Sequence, residues 1–168
     1  YSIEEHARED GQRAMRLVRS RAEEWGIDPK RVGIMGFSAG GEVVSMVTYQ
    51  PGQGDPDAAD PIDRLDARPD FQVMIYPGPI GIPETIPADA PPAFLLVAND
   101  DRGAARTVAT LFRKYRDAGA PVEAHVFARG GHGFNMGNRA RLESIRKWPD
   151  RLADWMAVNA ILGPSKPA

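Results

Sequence analysis

Apolar residues recur with two different periods along this chain, and the change of period divides it into elements. Ile3, Ala7, Ala14, Leu17, Val18 and Trp25 return at helical spacing among Arg, Glu and Asp. That spacing predicts an amphipathic helix over residues 3–25 with these side chains inward. Ser2-x-x-Glu5 has the form of a capping box at its start, and Gly26 stops it. His6, in the first turn, reads as a solvated helix position. After the turn Asp28-Pro29-Lys30 the pattern changes to short continuous apolar runs. Residues 32–35, 71–76, 93–98 and 121–127 read as strands, and the run A-F-L-L-V-A reads as one covered on both faces.

Helical spacing returns over residues 42–49 and again over 104–118, where Val108, Leu111, Phe112 and Tyr115 turn inward before Gly119. A last helix starts near Trp148-Pro149, with proline in the first turn, and buries Leu152, Trp155 or Met156, and Ile161. The order helix, strand, helix, strand, strand, helix, strand, helix predicts an α/β fold, mostly parallel, with crossover helices on both faces. Neither a repeat nor a linker interrupts it, so residues 1–168 are expected to form one domain.

Two stretches fit no period. Residues 51–69 are dense in Pro, Gly and Asp, but the aspartates lack calcium-loop spacing, so a surface excursion is expected. Residues 77–92 hold six prolines, too many for regular structure. This loop leaves the carboxyl end of a strand, where open parallel sheets bind ligands. Ile80, Ile82 and Ile86 are therefore candidates either for lining a substrate pocket or for pinning the loop to the body.

Composition narrows the chemistry. The net charge of −2 gives no electrostatic case for nucleic acid or an anionic membrane. No uncharged apolar window is long enough to span a bilayer, and no signal peptide is visible, so a soluble chain is expected, the cytoplasm being favoured. Without cysteine there can be no disulfide, thiolate nucleophile or Cys-ligated metal. No cofactor or metal is expected.

The candidate chemistry centres on Gly36-Phe37-Ser38-Ala39-Gly40, a G-x-S-x-G pattern between a strand and a helix. A serine on so sharp a turn is strained, and Gly36 and Gly40 are expected to remove side chains that would collide with the adjoining elements. Ser38 would stand proud of the sheet, with the Ala39 amide pointing into the same space at a helix N-terminus. Two further groups follow at strand ends: the pair Asp100/Asp101, and His132 among Gly130, Gly131 and Gly133. A serine hydroxyl needs a base within hydrogen-bond reach. An imidazole can take that proton and return it, and a carboxylate behind the ring fixes its tautomer. Spacing alone leaves both aspartates open for that role, one of them being expected to bond backbone amides of its own turn. His125, in a strand beside Glu123, reads as a sheet-surface residue.

The segments W-G-I-D-P-K-R-V-G-I-M-G-F-S-A-G-G, R-P-D-F-Q-V-M-I-Y-P-G, P-P-A-F-L-L-V-A-N-D-D, A-G-A-P-V-E-A-H-V-F-A-R-G-G-H-G-F and W-P-D-R-L-A-D-W-M resemble α/β-hydrolase-fold esterases of the bacterial acetyl-xylan esterase, feruloyl-esterase-like and esterase/lipase group. The resemblance implies Ser38 as nucleophile, His132 as base, Ala39 as an oxyanion-hole amide and short acyl esters, acetyl first, as substrates. It places the acid on Asp101, although this chain reads N-D-D-R-G-A-A where that group commonly reads H-G-x-x-D-x-x-V-P. It also implies a preceding segment with an H-G-G-G-type loop that supplies a second oxyanion amide; no such motif occurs here, so the chain is expected to be N-terminally truncated relative to the group. The strand at 32–35 would then form an open edge and favour a homo-oligomer. Two other readings stand beside the esterase: a serine peptidase of the prolyl-oligopeptidase type, and a catalytically weak truncated hydrolase acting as an association module.

Overall fold

In the computed structural model, described for residues 2–50, 52–138 and 141–162, four strands form one parallel sheet in chain order. The strands are β1 (Ile34–Phe37), β2 (Gln72–Ile75), β3 (Ala93–Ala98) and β4 (Val122–Phe127). β1 begins two residues later than its apolar run suggests. The amide of Val32 is bonded by Asp70 Oδ2 at 2.9 Å, Val32 packs in a small satellite cluster with Met15, Val47 and Ala67, and register pairing begins at Ile34 opposite Gln72. β3 is buried at every residue, as a central strand covered on both faces must be.

The helices are α1 (Arg8–Ser20), α2 (Ala22–Trp25), α3 (Ala39–Tyr49), α4 (Arg102–Ala118), α5 (Glu143–Arg146) and α6 (Trp148–Val158). α3 and α4 share one face. Ser45 of α3 donates to Met74 Sδ at 3.4 Å, and the hydroxyls of Tyr49 and Tyr115 bond at 2.8 Å beside Gln72. Burial pushes the Tyr49 hydroxyl up to about 12 and raises that of Tyr115 as well. α6 covers the other face, where Trp155 meets Phe71 and Phe94 and Trp148 meets Phe37.

The long first helix departs from expectation. It opens with a π-helical turn, Ile3–Ala7, and breaks at Arg21 before α2, which Gly26 closes in the left-handed conformation. Ser2 sits at the N-cap but its side chain makes no cap bond. Instead His6 Nδ1 accepts the Ser2 amide at 3.0 Å, so the capping box is not formed. The inward face also differs: Met15 and Ala22 are buried, whereas Leu17 is 39% and Trp25 52% exposed. The cause is Gly11. A Cβ there would fall 2.7 Å from Val47 Cγ2, so α1 lies against α3 along Gly11, with Met15 and Val18 packed in the same cluster as Val47 and Val43.

The Asp-rich excursion, described from Gly52 onward, is tied to this helix. Arg13 bridges Asp60 at 2.5 Å and Asp63 at 2.7 Å. Arg16 donates to the carbonyls of Leu65 and Gly52.

Candidate active site

The carboxyl ends of β1, β2, β3 and β4 each contribute to one cleft of about 310 Å³. Ser38 leaves β1 with φ 54° and ψ −121° and caps α3. A Cβ on Gly36 would meet the Gly40 carbonyl oxygen at 2.0 Å, so that glycine is sterically required. Gly40 is not: the space beside it is open, and the crowded position is Gly41, whose Cβ would lie 2.7 Å from Pro77 Cβ. The helix follows Ser38 at once, from Ala39 rather than from Glu42, so the Ala39 amide belongs to its first turn, where the helix dipole favours negative charge.

The structure brings Ser38, His132 and Asp101 together. Ser38 Oγ donates to His132 Nε2 at 2.7 Å, and His132 Nδ1 donates to Asp101 Oδ2 at 2.5 Å, in the tautomer this arrangement requires. Asp101 also caps α4, its Oδ1 accepting the Ala104 amide at 3.3 Å, and its side chain is only 12% exposed. The carboxylate is thus fixed by a helix before it meets the ring.

Asp100 does a different job from its neighbour. Its two oxygens accept the amides of Gly131 at 2.8 Å and Gly130 at 3.2 Å, so it holds the histidine loop, with its own amide a smaller contact. Those amides, Gly131 first, keep the Asp100 carboxyl below its ordinary value. Gly131 adopts φ 62°, a left-handed conformation that a glycine tolerates without cost.

Tyr76 is a site residue that sequence reasoning missed. It ends β2 with φ 39°, and its ring lies 4.9 Å from His132 and 4.7 Å from Phe134, edge to face in both cases. Its hydroxyl accepts the Asn135 amide at 3.2 Å, while Trp148 Nε1 donates to the Asn135 carbonyl at 2.9 Å. The histidine loop is therefore held from three sides, by Asp100, Tyr76 and Trp148. The only signal in the sequence is the pair Tyr76-Pro77 at a strand end, which says nothing of a positive φ. Glu42, also missed, is buried and lines the cleft.

Ile80 and Ile82 are not among the residues lining the cleft, which from their loop takes residues 77–79. Ile82 packs against the main core and Ile86 lies inside it, so both pin the loop, while the Ile80 amide donates to Glu42 Oε1 at 3.3 Å. His125 bonds Glu123 Oε1 at 2.7 Å and stacks 5.2 Å from Phe94, on the sheet and away from the serine relay. Among the described residues no cluster of His, Asp or Glu is arranged to hold a metal ion, and no helix is long and apolar enough to cross a membrane.

Comparison with known proteins agrees with this layout. An acetylxylan esterase of Xylanibacter ruminicola is 30% identical over 160 aligned residues, covering 76% of this chain and 31% of the relative. An endo-1,4-beta-xylanase B of Butyrivibrio fibrisolvens is 26% identical, covering 77% of this chain and 25% of the relative. The chain thus spans less than a third of either. Among solved structures, an acetyl ester-xyloside bifunctional hydrolase from Caldicellulosiruptor lactoaceticus superposes with a TM-score of 0.84 at 27% identity, over 93% of this chain and 66% of that one. A thermophilic esterase from Thermogutta terrifontis, solved with propionate bound, gives 0.80 at 20% identity, over 99% and 69%, a likeness of fold alone. The family pattern described as alpha/beta hydrolase fold matches residues 5–90, half of the chain and the part that carries Ser38, and the chain belongs to that family.

Proposed function

We propose that this chain is a serine carboxylic-ester hydrolase that works through an acyl-enzyme, with short acyl groups, acetyl first, as substrates. The observation that carries the reading is the unbroken relay from Ser38 Oγ through His132 to Asp101. Ser38 Oγ attacks the ester carbonyl carbon as its proton passes to His132 Nε2. Asp101 stabilises the imidazolium, and the Ala39 amide receives the oxyanion. The tetrahedral intermediate collapses, the C–O bond to the alcohol breaks, and the alcohol leaves with the proton from His132. Water then gives a proton to His132 and attacks the acyl carbon; the acid departs and Ser38 recovers its hydrogen. The acetyl preference is supported by the names of the acetylxylan esterase and acetyl ester-xyloside hydrolase to which the chain is similar.

A stopped-flow burst of p-nitrophenol from p-nitrophenyl acetate, absent in Ser38→Ala, is the expected result. Hydrolysis unchanged by that substitution would overturn the reading, and faster turnover of the hexanoate ester than of the acetate would overturn the acyl preference.

One observation favours an added role in assembly. β1 pairs with β2 alone among the described residues, and Met35 on it is 50% exposed. We propose that this edge accepts a strand from a second copy of the chain. Gel filtration should give a dimer or larger, and a monomer at micromolar concentration would refute it.

A further inference from the structure

We propose that Glu42 determines specificity in the cleft: its carboxylate accepts a hydrogen bond from a hydroxyl on the ester substrate, and so selects hydroxyl-bearing esters over apolar or anionic ones. The proposal rests on the esterase reading above. Glu42 follows Ser38 by one helical turn, which puts the two on the same side of α3, and both line the cleft.

A glutamate in a first helical turn ordinarily stands in solvent, yet Glu42 is only 7% exposed. Room for it is made by a missing side chain, since a Cβ on Gly78 would lie 2.0 Å from Glu42 Oε1. That oxygen accepts the Ile80 amide at 3.3 Å. Among the described residues no donor reaches Oε2, nor is that atom sealed from solvent. A carboxylate offers about four acceptor positions, and here one is used by the protein. Glu42 itself lines the cleft, so the unused acceptor positions are offered there.

The chemistry of an incoming group follows from this. An apolar substituent would strip water from Oε2 and leave it unpaired, which is costly for a charged group. A substrate carboxylate would meet a like charge. A hydroxyl donates to Oε2 and replaces the lost water.

The test uses the full chain and Glu42→Gln, which keeps an oxygen for the Ile80 amide and turns the free acceptor into a donor. Four esters separate the possibilities: n-butyl acetate, 2-hydroxyethyl acetate, acetylcholine as a cation without a donor hydrogen, and monomethyl succinate as an anion. In the wild type, kcat/KM should favour 2-hydroxyethyl over butyl acetate. Glu42→Gln should lower that ratio about ten-fold and raise the ratio of monomethyl succinate to butyl acetate, a gain that misfolding cannot produce. Ratios left unchanged while all rates fall together would overturn the proposal and leave Glu42 as a brace for the loop. A loss confined to acetylcholine would overturn it in favour of plain charge attraction. Ser38-dependent hydrolysis with unaltered ratios defeats this proposal alone, whereas hydrolysis of none of the four defeats the esterase reading with it.

Discussion

The two ends of the sheet differ in a way that cavity size does not foretell. The larger cavity, about 540 Å³, lies at the amino ends of β2 and β3, between Arg19, Arg68, Asp70 and Asp89. Its charges answer one another: Arg19 meets Asp70 at 3.1 Å and Arg68 meets Asp89 at 2.9 Å. Asp66 accepts the Arg68 amide at 2.9 Å and Asp70 that of Val32 at 2.9 Å. The smaller cleft, at the carboxyl ends, holds strained backbone and an imidazole bonded to the Ser38 hydroxyl. Ser38, Tyr76 and Asn135 are three of the five non-glycine residues with positive φ among those described, and all three belong to the site or its loop. Strain of this kind costs about 1–3 kcal/mol at each residue and persists only where the surroundings enforce it. Ion pairs closed within the cavity mark the one end, although Arg19 Nε stays buried without a partner among the described residues. Enforced backbone geometry marks the other.

The sharpest way to break the comparison is at Ser38 itself. Ser38→Gly and Ser38→Ala both remove Oγ and should each lower turnover of p-nitrophenyl acetate by at least about 1,000-fold. They differ in backbone freedom. Glycine accepts φ 54° without strain and alanine does not, so Ser38→Gly should melt above Ser38→Ala by about 2–4 °C, the equivalent of about 1 kcal/mol. Equal melting temperatures would show that the turn at Ser38 stores no strain.

The adjacent aspartates sharpen it next. Asp101→Asn disturbs the tautomer of His132 and should cost about 10,000-fold in kcat. Asp100→Asn loosens only the backbone at Gly130 and Gly131, and a loss of about ten-fold is expected, mostly in kcat, because the ring must be held to the serine. Its pH dependence has a definite sign. The folded-state value of Asp100 is lowered from 3.8 by the Gly131 and Gly130 amides. Its stabilisation is therefore present above the unfolded value and lost as pH falls through the folded one. The wild type should exceed Asp100→Asn in urea midpoint at pH 7, and the gap should begin to narrow as pH falls to about 4 and go on narrowing below it. A gap that stays constant from pH 7 down into the acid-unfolding range would contradict the carboxylate's role as amide acceptor.

What could be read from the chain was what chemistry and period mark. The strand–serine–helix string, the acid pair and the glycine-flanked histidine stand out because few other uses put those residues at strand ends. The four strands and the helices after them followed from their periods, and residues 93–98 matched β3 to the residue. What stayed hidden depends on contacts between elements. The seam of α1 turns on Gly11, which carries no apolar signal. Gly41, not Gly40, is the crowded glycine because Pro77 happens to arrive there. Tyr76 carries a positive φ that no propensity announces, and Glu42 is buried because Gly78 lies opposite. Each is set by a partner more than 30 residues away in sequence, beyond any local pattern.

The smallest expected effect lies at the amino end. Arg68→Met keeps the stem that packs in the larger cavity and deletes the guanidinium. The bonds lost are those to the carboxylate and carbonyl of Asp89; the Arg68 amide and carbonyl stay bonded to Asp66 and Arg19 through the main chain. The pair is half in water, with side chains 35% and 75% exposed, so its removal should cost less than about 1 kcal/mol, and less again in 1 M salt. Strands of four to six residues separate this pair from Ser38 by roughly 15–20 Å. Sites that far apart with no shared partner act independently, so kcat/KM for p-nitrophenyl acetate should stay within about two-fold of the wild type. A ten-fold fall would mean that the amino end transmits to the cleft through the sheet, and that the self-paired charges there tune the reactive end instead of merely closing the fold.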